Sequence, residues 1–277
     1  MEKIRYLIFG SGYLGNKFHE QLKNSFLSKE RIKSKEGVIE VIKKINPEIV
    51  INCVGKTGRP NVDWCEDNKM ETIESNIIVP YYIALACKAT GKRMTHIGSG
   101  CVYGGEGKAF TEEDKPNYFG SFYSITKIIS EKILKGFDNV LQVRIRMPIS
   151  SDKTDRNLIT KLLNYNKIIE VKNSISVLED AIGAIKQLMD KNKSGVFNLV
   201  NPQPVTHKEI IDIFEEVVGE KHRYEVITLD ELAKITKAGR SNCVLSIEKL
   251  KKEKIYMPDT KDSIRKCMEI YLKGIVK

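Results

Sequence analysis

The feature that most constrains this chain is a glycine motif placed between a short apolar run and a helical pattern. Residues 3–9, with the apolar run Tyr6-Leu7-Ile8-Phe9, are predicted to form a buried strand, and glycines follow it in the spacing G-x-G-x-x-G. Such glycines permit a tight turn and a close backbone approach to a pyrophosphate, which then sits at the helix N-terminus. The motif therefore predicts a dinucleotide-binding turn. Its predicted cofactor-binding residues are Gly10, Gly12, Tyr13, Leu14 and Gly15.

Strand and helix patterns alternate after this turn. Strands are predicted at 25–27, 48–54, 92–98, 140–146 and 196–200. Helices are predicted at 66–90, 119–135, 157–166, 177–190, 206–218 and 262–272. Repeated strand–helix units predict an α/β fold with a doubly wound parallel sheet. No helix is predicted between residues 28 and 46.

The carboxyl ends of the predicted strands define where a ligand binds in such a sheet. Gly10, Val54-Gly55, Ser99 and Met147 all fall at these ends. Residues 1–147 therefore predict a dinucleotide-binding lobe, to which residues 176–200 return. Residues 148–277 mainly form a smaller C-terminal lobe, which we expect to bind the substrate.

The charge balance points to an anionic partner. The 277 residues include 46 Lys and Arg against 36 Asp and Glu, a net charge of +10. Because no run of five or six like charges occurs, nucleic acid has only this net charge in its favour. A solvated lysine-rich surface and an anionic small molecule both explain the excess. No apolar run approaches the ~20 residues that span a bilayer, so no membrane partner and a cytoplasmic location are expected.

The six cysteines are spread through the chain and form no C-x-x-C pair, and the four histidines form no H-x-x-x-H pair. Neither a metal site nor a disulfide framework is therefore expected. In a reducing compartment most of these thiols serve as small buried side chains.

The end of the second predicted strand bears on cofactor choice. An acidic residue there would hold a ribose 2′-hydroxyl, and only Glu30 is near that position. Lys29 and Arg31 are suited instead to a 2′-phosphate. The pattern favours NADPH, with NADH as the alternative, and solvated loop charges are the plain explanation.

Two short patterns could carry chemistry. Tyr123 and Lys127 stand four residues apart on a predicted helix, which places the phenol beside the ammonium. A nearby cation is expected to lower the pKa of the tyrosine toward neutrality and make it a general acid or base. Ser99 and Cys101, in an extended segment, are expected to share one face of the pocket. Ser99 could bind a carbonyl, and Cys101 could remove a proton α to it if its thiolate is stabilised.

Together these motifs resemble the extended short-chain dehydrogenase/reductases, which have a Rossmann fold. Three longer motifs are similar to the nucleotide-rhamnose synthases, bifunctional 3,5-epimerase/4-reductases acting on UDP-4-keto-6-deoxyglucose and best known as the C-terminal part of plant rhamnose synthases. The motifs are Thr57–Glu66, Gly120–Ser124 and Arg144–Asp152. The resemblance extends from Ile4 to about Leu250.

The resemblance implies a role for each matching position. Ser99, Tyr123 and Lys127 correspond to the reductase triad, Cys101 to the epimerisation base, and Lys161 to the acid on the opposite sugar face. Lys127 also binds the nicotinamide ribose, Met147 lies against the nicotinamide ring, and Asn76 props the active-site helix. The residues expected to contact the substrate, a UDP-sugar, are Arg59, Asn61, Asn157 and Arg240.

Several alternatives stay open at this point. A 4,6-dehydratase of the same fold needs an acid pair where this chain has Ser99-Gly100-Cys101, so that function is excluded. A 4-ketoreductase without epimerase activity and a non-catalytic NADP-binding regulatory subunit are the remaining alternatives. The choice between UDP and dTDP and the order of epimerisation are not readable, and only analogy with the fold favours a homodimer.

Overall fold

The computed structural model describes residues 3–273 and has a six-stranded parallel sheet at its centre. The strand order is β2-β1-β3-β4-β6-β8. These strands are β1 (Tyr6–Phe9), β2 (Ser25–Ser28), β3 (Ile49–Asn52), β4 (Arg93–Ser99), β6 (Val140–Ile145) and β8 (Gly195–Asn198). Two parallel pairs lie outside it: β5 (Ala109–Phe110) with β10 (Val244–Leu245), and β7 (Lys167–Ile168) with β9 (Glu225–Val226). The predicted α/β fold with a doubly wound parallel sheet is confirmed.

Helices connect the strands and follow them to the end of the described chain. They are α1 (Tyr13–Gln21), α2 (Lys35–Ile45), α3 (Trp64–Asp67), α4 (Lys69–Ile73), α5 (Val79–Ala89), α6 (Phe122–Leu134), α7 (Leu158–Leu163), α8 (Leu178–Asp190), α9 (His207–Val218), α10 (Leu229–Ile235), α11 (Glu248–Lys252) and α12 (Thr260–Lys273). A π-helical turn, Glu74–Ile78, joins α4 to α5.

The two faces of the sheet carry different parts of the core. Leu7 and Phe9 of β1 pack on the side of α2 and α5, whereas Tyr6 and Ile8 pack on the side of α1 and α8. Since side chains alternate along a strand, a strand buried on both faces shows a continuous apolar run. The register pairs Ile8 with Ile51 and aligns the carboxyl ends of β1 and β3.

Helix α2 was not predicted from the sequence. Its apolar positions Val38, Val41 and Ile42 are buried against the sheet, but lysines and glutamates surround them. Ser34 caps the helix by accepting a hydrogen bond from the Gly37 N–H at 3.2 Å, and Asn46 ends it in the left-handed conformation. Because the helix is short and highly charged, its three buried apolar residues do not give a clear helical periodicity in the sequence. The helix is therefore evident only from its packing against the sheet.

The single helix predicted over 66–90 is wrong, because the segment is divided. Asn68 leaves helical geometry with φ −121° and ψ 58°, which separates α3 from α4. Pro80 lies in the first turn of α5 and has no N–H to donate to the preceding turn. The π-helical turn lies directly before it, and such turns occur often at functional sites.

Residues after Pro148 form a second apolar cluster. It contains Ile149 together with side chains of α7, α9 and α12, among them Leu158, Ile211 and Met268. The strand and helix of residues 178–198 instead belong to the main sheet and its core. The division into a dinucleotide lobe and a substrate lobe stays a prediction.

An ionic network centred on a buried lysine connects the glycine turn to the segment after β6. Lys17 of α1 is 4% exposed and lies 3.0 Å from the Asp152 carboxylate and 3.1 Å from that of Glu179. These hydrogen bonds raise the pKa of Lys17 despite its burial. The Tyr13 hydroxyl donates to the Ser150 hydroxyl at 2.8 Å, which in turn donates to Asp152. The residues 150–152 therefore fix the position of α1. Across residues 3–273, no helix combines the length and apolarity needed to cross a bilayer.

Candidate active site

The glycine turn has space only for glycine at two of its three positions. A Cβ on Gly10, whose φ is +97°, would lie 2.7 Å from the Cys53 carbonyl carbon. A Cβ on Gly15 would lie 1.8 Å from the Gly10 oxygen. Gly12 faces open space and begins α1 without a side-chain cap. The first N–H groups of α1 are therefore available to an anion, as a pyrophosphate-binding turn requires.

Charged residues lie just beyond β2. Lys29 and Arg31 are both exposed, and Arg31 lies 3.5 Å from Glu74. This exposed pair is weak because water screens it. The predicted contact of Lys29 and Arg31 with a 2′-phosphate stays a prediction.

The end of β4 carries the nucleophilic thiol. Ser99 is the last strand residue and is buried, and Cys101 follows it in a turn, half-buried. The Cys101 N–H donates to the Ser99 hydroxyl oxygen at 3.1 Å. The expectation of an extended Ser99–Cys101 segment is therefore wrong, because the strand ends at Ser99. The turn still keeps the hydroxyl close to the cysteine.

Helix α6 places the tyrosine and the lysine. Ser121 caps it by accepting from the Ser124 N–H, and the Phe122 N–H donates to the Glu66 carboxylate at 2.7 Å. Tyr123 and Lys127 are both buried, with the Lys127 Nζ 6.0 Å from the Tyr123 ring centroid. The i, i+4 spacing thus brings the two side chains together inside the protein.

The pKa directions at this pair differ from the expectation. Burial raises the pKa of Tyr123, and the Ser99 hydroxyl opposes that shift. Burial also lowers the pKa of Lys127 to about 8. The expectation that the pKa of Tyr123 is lowered toward neutrality is wrong for this chain, because burial raises the pKa by more than the Ser99 hydroxyl and the Arg146 guanidinium lower it.

Asn76 holds the site together from the π-helical turn. It is fully buried, its amide N–H groups donate to the Thr126 hydroxyl of α6 and the Lys56 carbonyl, both at 3.0 Å, and its oxygen accepts from the Lys56 N–H at 2.8 Å. The expected support of the active-site helix by Asn76 is confirmed. A Cβ on Gly55 would lie 3.3 Å from the Asn76 oxygen and 3.4 Å from the Lys127 Nζ. Val54 donates its N–H to Asn52 at 2.9 Å.

A group of basic side chains lies near the N-terminus of α7. Burial and the neighbouring Arg156 and Arg240 lower the pKa of Lys161. Burial and the neighbouring Arg59 lower the pKa of Arg156. Arg156 was missed from the sequence, although it precedes the predicted helix. Its guanidinium donates to the Thr57 hydroxyl at 3.0 Å and the Gly58 carbonyl at 2.5 Å. We call these four residues the cation cluster: Arg59, Arg156, Lys161 and Arg240.

Two amides expected at the substrate serve the backbone. The Asn61 oxygen accepts from the Asp63 N–H at 2.8 Å, and Asp63 forms an ion pair with Arg240 at the same distance. Asn157 is fully buried and caps α7, and its amide donates to the carbonyls of Ser150 and Asp152. Its oxygen accepts from two N–H groups. The expected contact of Asn157 with the substrate is therefore wrong, since the side chain is fully buried and each of its polar atoms already forms hydrogen bonds within the protein.

The two residues directly after β6, Arg146 and Met147, also lie at the carboxyl edge of the sheet. Met147 has a φ of +42°, the left-handed region that non-glycine residues rarely occupy. Such strained residues concentrate at functional sites. Arg146, also missed from the sequence, is 1% exposed, and its guanidinium donates to the Cys101 Sγ at 3.4 Å.

The arrangement brings acid–base groups and cations to the carboxyl edge of the sheet. Four side chains lie close together where β4 ends and in the first half of α6: the Cys101 thiol, the hydroxyls of Ser99 and Tyr123, and the buried Lys127. Such a pocket can bind a carbonyl oxygen, move a proton on an adjacent carbon and stabilise developing negative charge.

Known proteins are similar to this chain in sequence and in fold. A family model described as the RmlD substrate binding domain matches residues 5–273. The chain is 36% identical over 276 residues to a bifunctional dTDP-4-dehydrorhamnose 3,5-epimerase/dTDP-4-dehydrorhamnose reductase of Arabidopsis thaliana. That match covers 95% of this chain and 92% of the relative.

A longer plant protein and a viral structure are also similar. The first is a trifunctional UDP-glucose 4,6-dehydratase/UDP-4-keto-6-deoxy-D-glucose 3,5-epimerase/UDP-4-keto-L-rhamnose-reductase of Arabidopsis thaliana, 37% identical over 276 residues. The match covers 95% of this chain and 41% of that protein, so the chain spans about two fifths of its length. The second is the L780 UDP-rhamnose synthase of Acanthamoeba polyphaga mimivirus, with a TM-score of 0.91 and 30% identity. That match covers 97% of this chain and 100% of the viral chain.

The lowered pKa of Lys127 predicts a pH-dependent stability. Between about pH 8 and 10.5 the folded lysine is neutral while the unfolded one still binds a proton, so the stability of the wild type rises with pH there. Below pH 8 the full cost of burying the charge is present. Lys127→Met removes this dependence. We expect the stability advantage of Lys127→Met over the wild type to shrink by on the order of 1 kcal/mol per pH unit at most.

Urea unfolding at pH 7, 8, 9 and 10 measures this difference. Lys132→Met, at an exposed lysine of the same helix, controls for the loss of a lysine charge from α6. A Lys127→Met difference that stays constant from pH 7 to 10 would show that Lys127 does not lose its proton in the folded protein.

Proposed function

The chain belongs to the RmlD substrate binding domain family, and we propose that it is an NADPH-dependent 3,5-epimerase/4-reductase that converts UDP-4-keto-6-deoxyglucose to UDP-L-rhamnose. The observation that carries the proposal is the placement of the Cys101 thiol beside Ser99 at the end of β4, near the buried Tyr123–Lys127 pair of α6. The resemblance drawn from the three motifs is confirmed, since the relatives are plant rhamnose-synthesising enzymes and a viral UDP-rhamnose synthase. The dehydratase activity named for the longer plant protein is not proposed.

The glycine turn fits a dinucleotide. Gly10 and Gly15 are so close to neighbouring backbone that no side chain fits, while the open position at Gly12 leaves the start of α1 accessible to phosphate. Lys29 and Arg31 beyond β2 support NADPH, and NADH is the alternative. Val54, Gly55, Lys127 and Met147 would line the nicotinamide side. When bound, the cofactor supplies the hydride that reduces the C4 ketone.

Epimerisation begins at carbons that the C4 ketone makes acidic. The Cys101 thiolate removes the proton from C3 or C5, so an S–H bond forms as the C–H bond breaks. The electron pair moves to the C4 oxygen, where the hydroxyls of Ser99 and Tyr123 stabilise the enolate by hydrogen bonds. The Lys161 ammonium returns a proton from the opposite face and inverts the carbon. Exchange with water restores the proton on Lys161 and removes the one on Cys101 before the second carbon reacts.

Reduction uses the same pocket. As the C4 carbonyl becomes an alkoxide, Tyr123 donates its phenolic proton to that oxygen. Burial favours the protonated tyrosine, the form that an acid requires. Lys127, one turn along α6 from Tyr123 and also buried, stabilises the phenolate left on Tyr123.

The cation cluster suits a nucleoside diphosphate. Burial together with Arg156 and Arg240 lowers the pKa of Lys161, and burial together with Arg59 lowers that of Arg156, so a dianion bound here would relieve the repulsion. A guanidinium binds phosphate oxygens in a bidentate manner. Asp63 pairs with Arg240 and directs its side chain. Arg156 therefore joins Arg240 as a proposed diphosphate ligand.

The direct test is to incubate the protein with UDP-4-keto-6-deoxyglucose and NADPH and to identify the sugar product. UDP-L-rhamnose, formed with one NADPH oxidised per sugar, supports the proposal. An unepimerised 6-deoxy sugar would show a 4-ketoreductase without epimerase activity. No NADPH oxidation, despite binding, would favour a regulatory subunit.

Cys101→Ser separates the two reactions. Because a serine hydroxyl is a far weaker acid than a thiol, we expect UDP-rhamnose formation to fall by about 100-fold or more. NADPH binding should stay within about twofold, since the thiol lies outside the glycine turn. The measurement is product formation by chromatography together with cofactor titration by fluorescence.

The matched control is Cys243→Ser. This buried neighbour donates to the Gly100 carbonyl at 3.5 Å, and a serine hydroxyl can keep that hydrogen bond. We expect it to retain most of the activity. Wild-type rates of rhamnose formation in Cys101→Ser would exclude the thiol as the base.

A further inference from the structure

Arg146 is a buried cation to which the proposed reaction gives no role. It follows β6 directly and is 1% exposed. Among the described residues 3–273, no carboxylate lies within 4.0 Å of its guanidinium, in contrast to Arg144, which Glu131 pairs at 2.7 Å. Burying a charge without a counter-ion is costly. An anion that forms beside Arg146 during function would offset this cost.

Two loops fix the guanidinium in place. Its Nη2 donates to the Asn173 side-chain oxygen and, at 2.6 Å, to the Ser241 carbonyl. Its Nη1 donates to the Ser241 hydroxyl at 3.1 Å. Within the described chain the Nε is buried and has no hydrogen-bond partner. The acceptors from these loops are neutral, so they orient the charge without cancelling it.

The remaining contact of Arg146 is the sulfur. Its Nη1 donates to the Cys101 Sγ at 3.4 Å, a normal N–H···S separation. Gly100, between Ser99 and Cys101, packs against the Arg146 side chain, since a Cβ there would be in van der Waals contact with the Cβ and Cδ of Arg146 at 3.5 Å and would clash with the Leu245 side chain at 2.7 Å. Of the acceptors around the guanidinium, the thiol is the one whose ionised form proteins use as a base or nucleophile.

We propose that Arg146 is the positioning residue of the epimerase base, holding the Cys101 sulfur and forming an ion pair with its thiolate. The S–H bond breaks, the proton passes to water, and the electron pair stays on the sulfur beside the guanidinium. The assignment rests on the proposed function, in which this thiolate removes protons from C3 and C5. Between turnovers the acquired proton leaves by the same route.

Other titratable groups surround this pair. The titratable groups that interact electrostatically with the Cys101 thiol or the Arg146 guanidinium when ionised are Tyr118, Tyr123, Lys127, Cys243 and His207. Burial raises the pKa of both tyrosines and of Cys243, and lowers that of His207 to about 4, so these four are neutral at pH 7. Lys127, whose pKa burial lowers to about 8, loses its charge as pH rises.

The test measures the rate at which iodoacetamide alkylates Cys101 as a function of pH, in the wild type, Arg146→Gln and Arg146→Lys. Mass spectrometry of the Cys101 peptide gives the rate without any sugar substrate. In Arg146→Gln we expect the rate at pH 7 to fall by about tenfold or more and the pH profile to shift upward by about one unit. Arg146→Lys, which keeps the charge, should stay within about threefold of the wild type.

The buried Cys243 peptide reports on folding in the same samples. A structural role alone would open the pocket and raise Cys243 labelling, whereas the proposed ion pair changes Cys101 with Cys243 still protected. A wild-type Cys101 profile in folded Arg146→Gln would overturn the proposal. If Arg146→Gln does not fold, Arg146→Lys decides: a rate within about threefold supports the ion pair, and a loss of about tenfold in a folded protein overturns it.

The product assay keeps this proposal separate from the proposed function. UDP-rhamnose formation by the wild type with an unchanged Arg146→Gln profile would remove Arg146 from the mechanism and leave the function in place. A shifted profile in a protein that makes no rhamnose would keep the ion pair and remove the function.

Discussion

Buried positive charge without a carboxylate partner is the interaction on which the rest of this site depends. Lys127 and Arg146 are both buried at the carboxyl edge of the sheet, and neither has a carboxylate within 4.0 Å among residues 3–273. Each costs folding free energy, which the large apolar core on both sheet faces offsets. In return the pocket stabilises anions, and a thiolate, an enolate, an alkoxide and a diphosphate are the anions that the proposed reaction requires.

The parallel sheet makes this concentration of charge possible. Strands β1, β3, β4 and β6 end at one edge, so residues far apart in the chain meet there. The network of Lys17 with residues 150–152 holds the glycine turn against the segment after β6. Asn76 holds α6 against the loop after β3. The cofactor side and the sugar side of the site are therefore fixed relative to each other by polar contacts centred on the buried side chains of Lys17 and Asn76.

What the sequence predicted here was local. Glycine spacing, the short apolar strands and the Tyr123–Lys127 spacing depend on neighbours in the chain, and the structure contains each of them. What it could not predict depends on contacts between distant segments. Arg146 matters because Asn173 and Ser241 orient it, and the pKa directions of the tyrosine and lysine follow from burial, which no spacing reveals. Asn157 was misjudged because a helix cap and a ligand-binding amide have the same sequence signature.

In the proposed reaction, one site moves protons at C3 and C5 and then reduces C4. Running the reaction in ²H₂O with unlabelled NADPH, and determining the isotope at each carbon of the product by NMR, tests both steps together. We expect rhamnose with solvent deuterium at C3 and C5 and protium from the cofactor at C4. A reduced sugar with no deuterium at either C3 or C5 would contradict the proposed reaction.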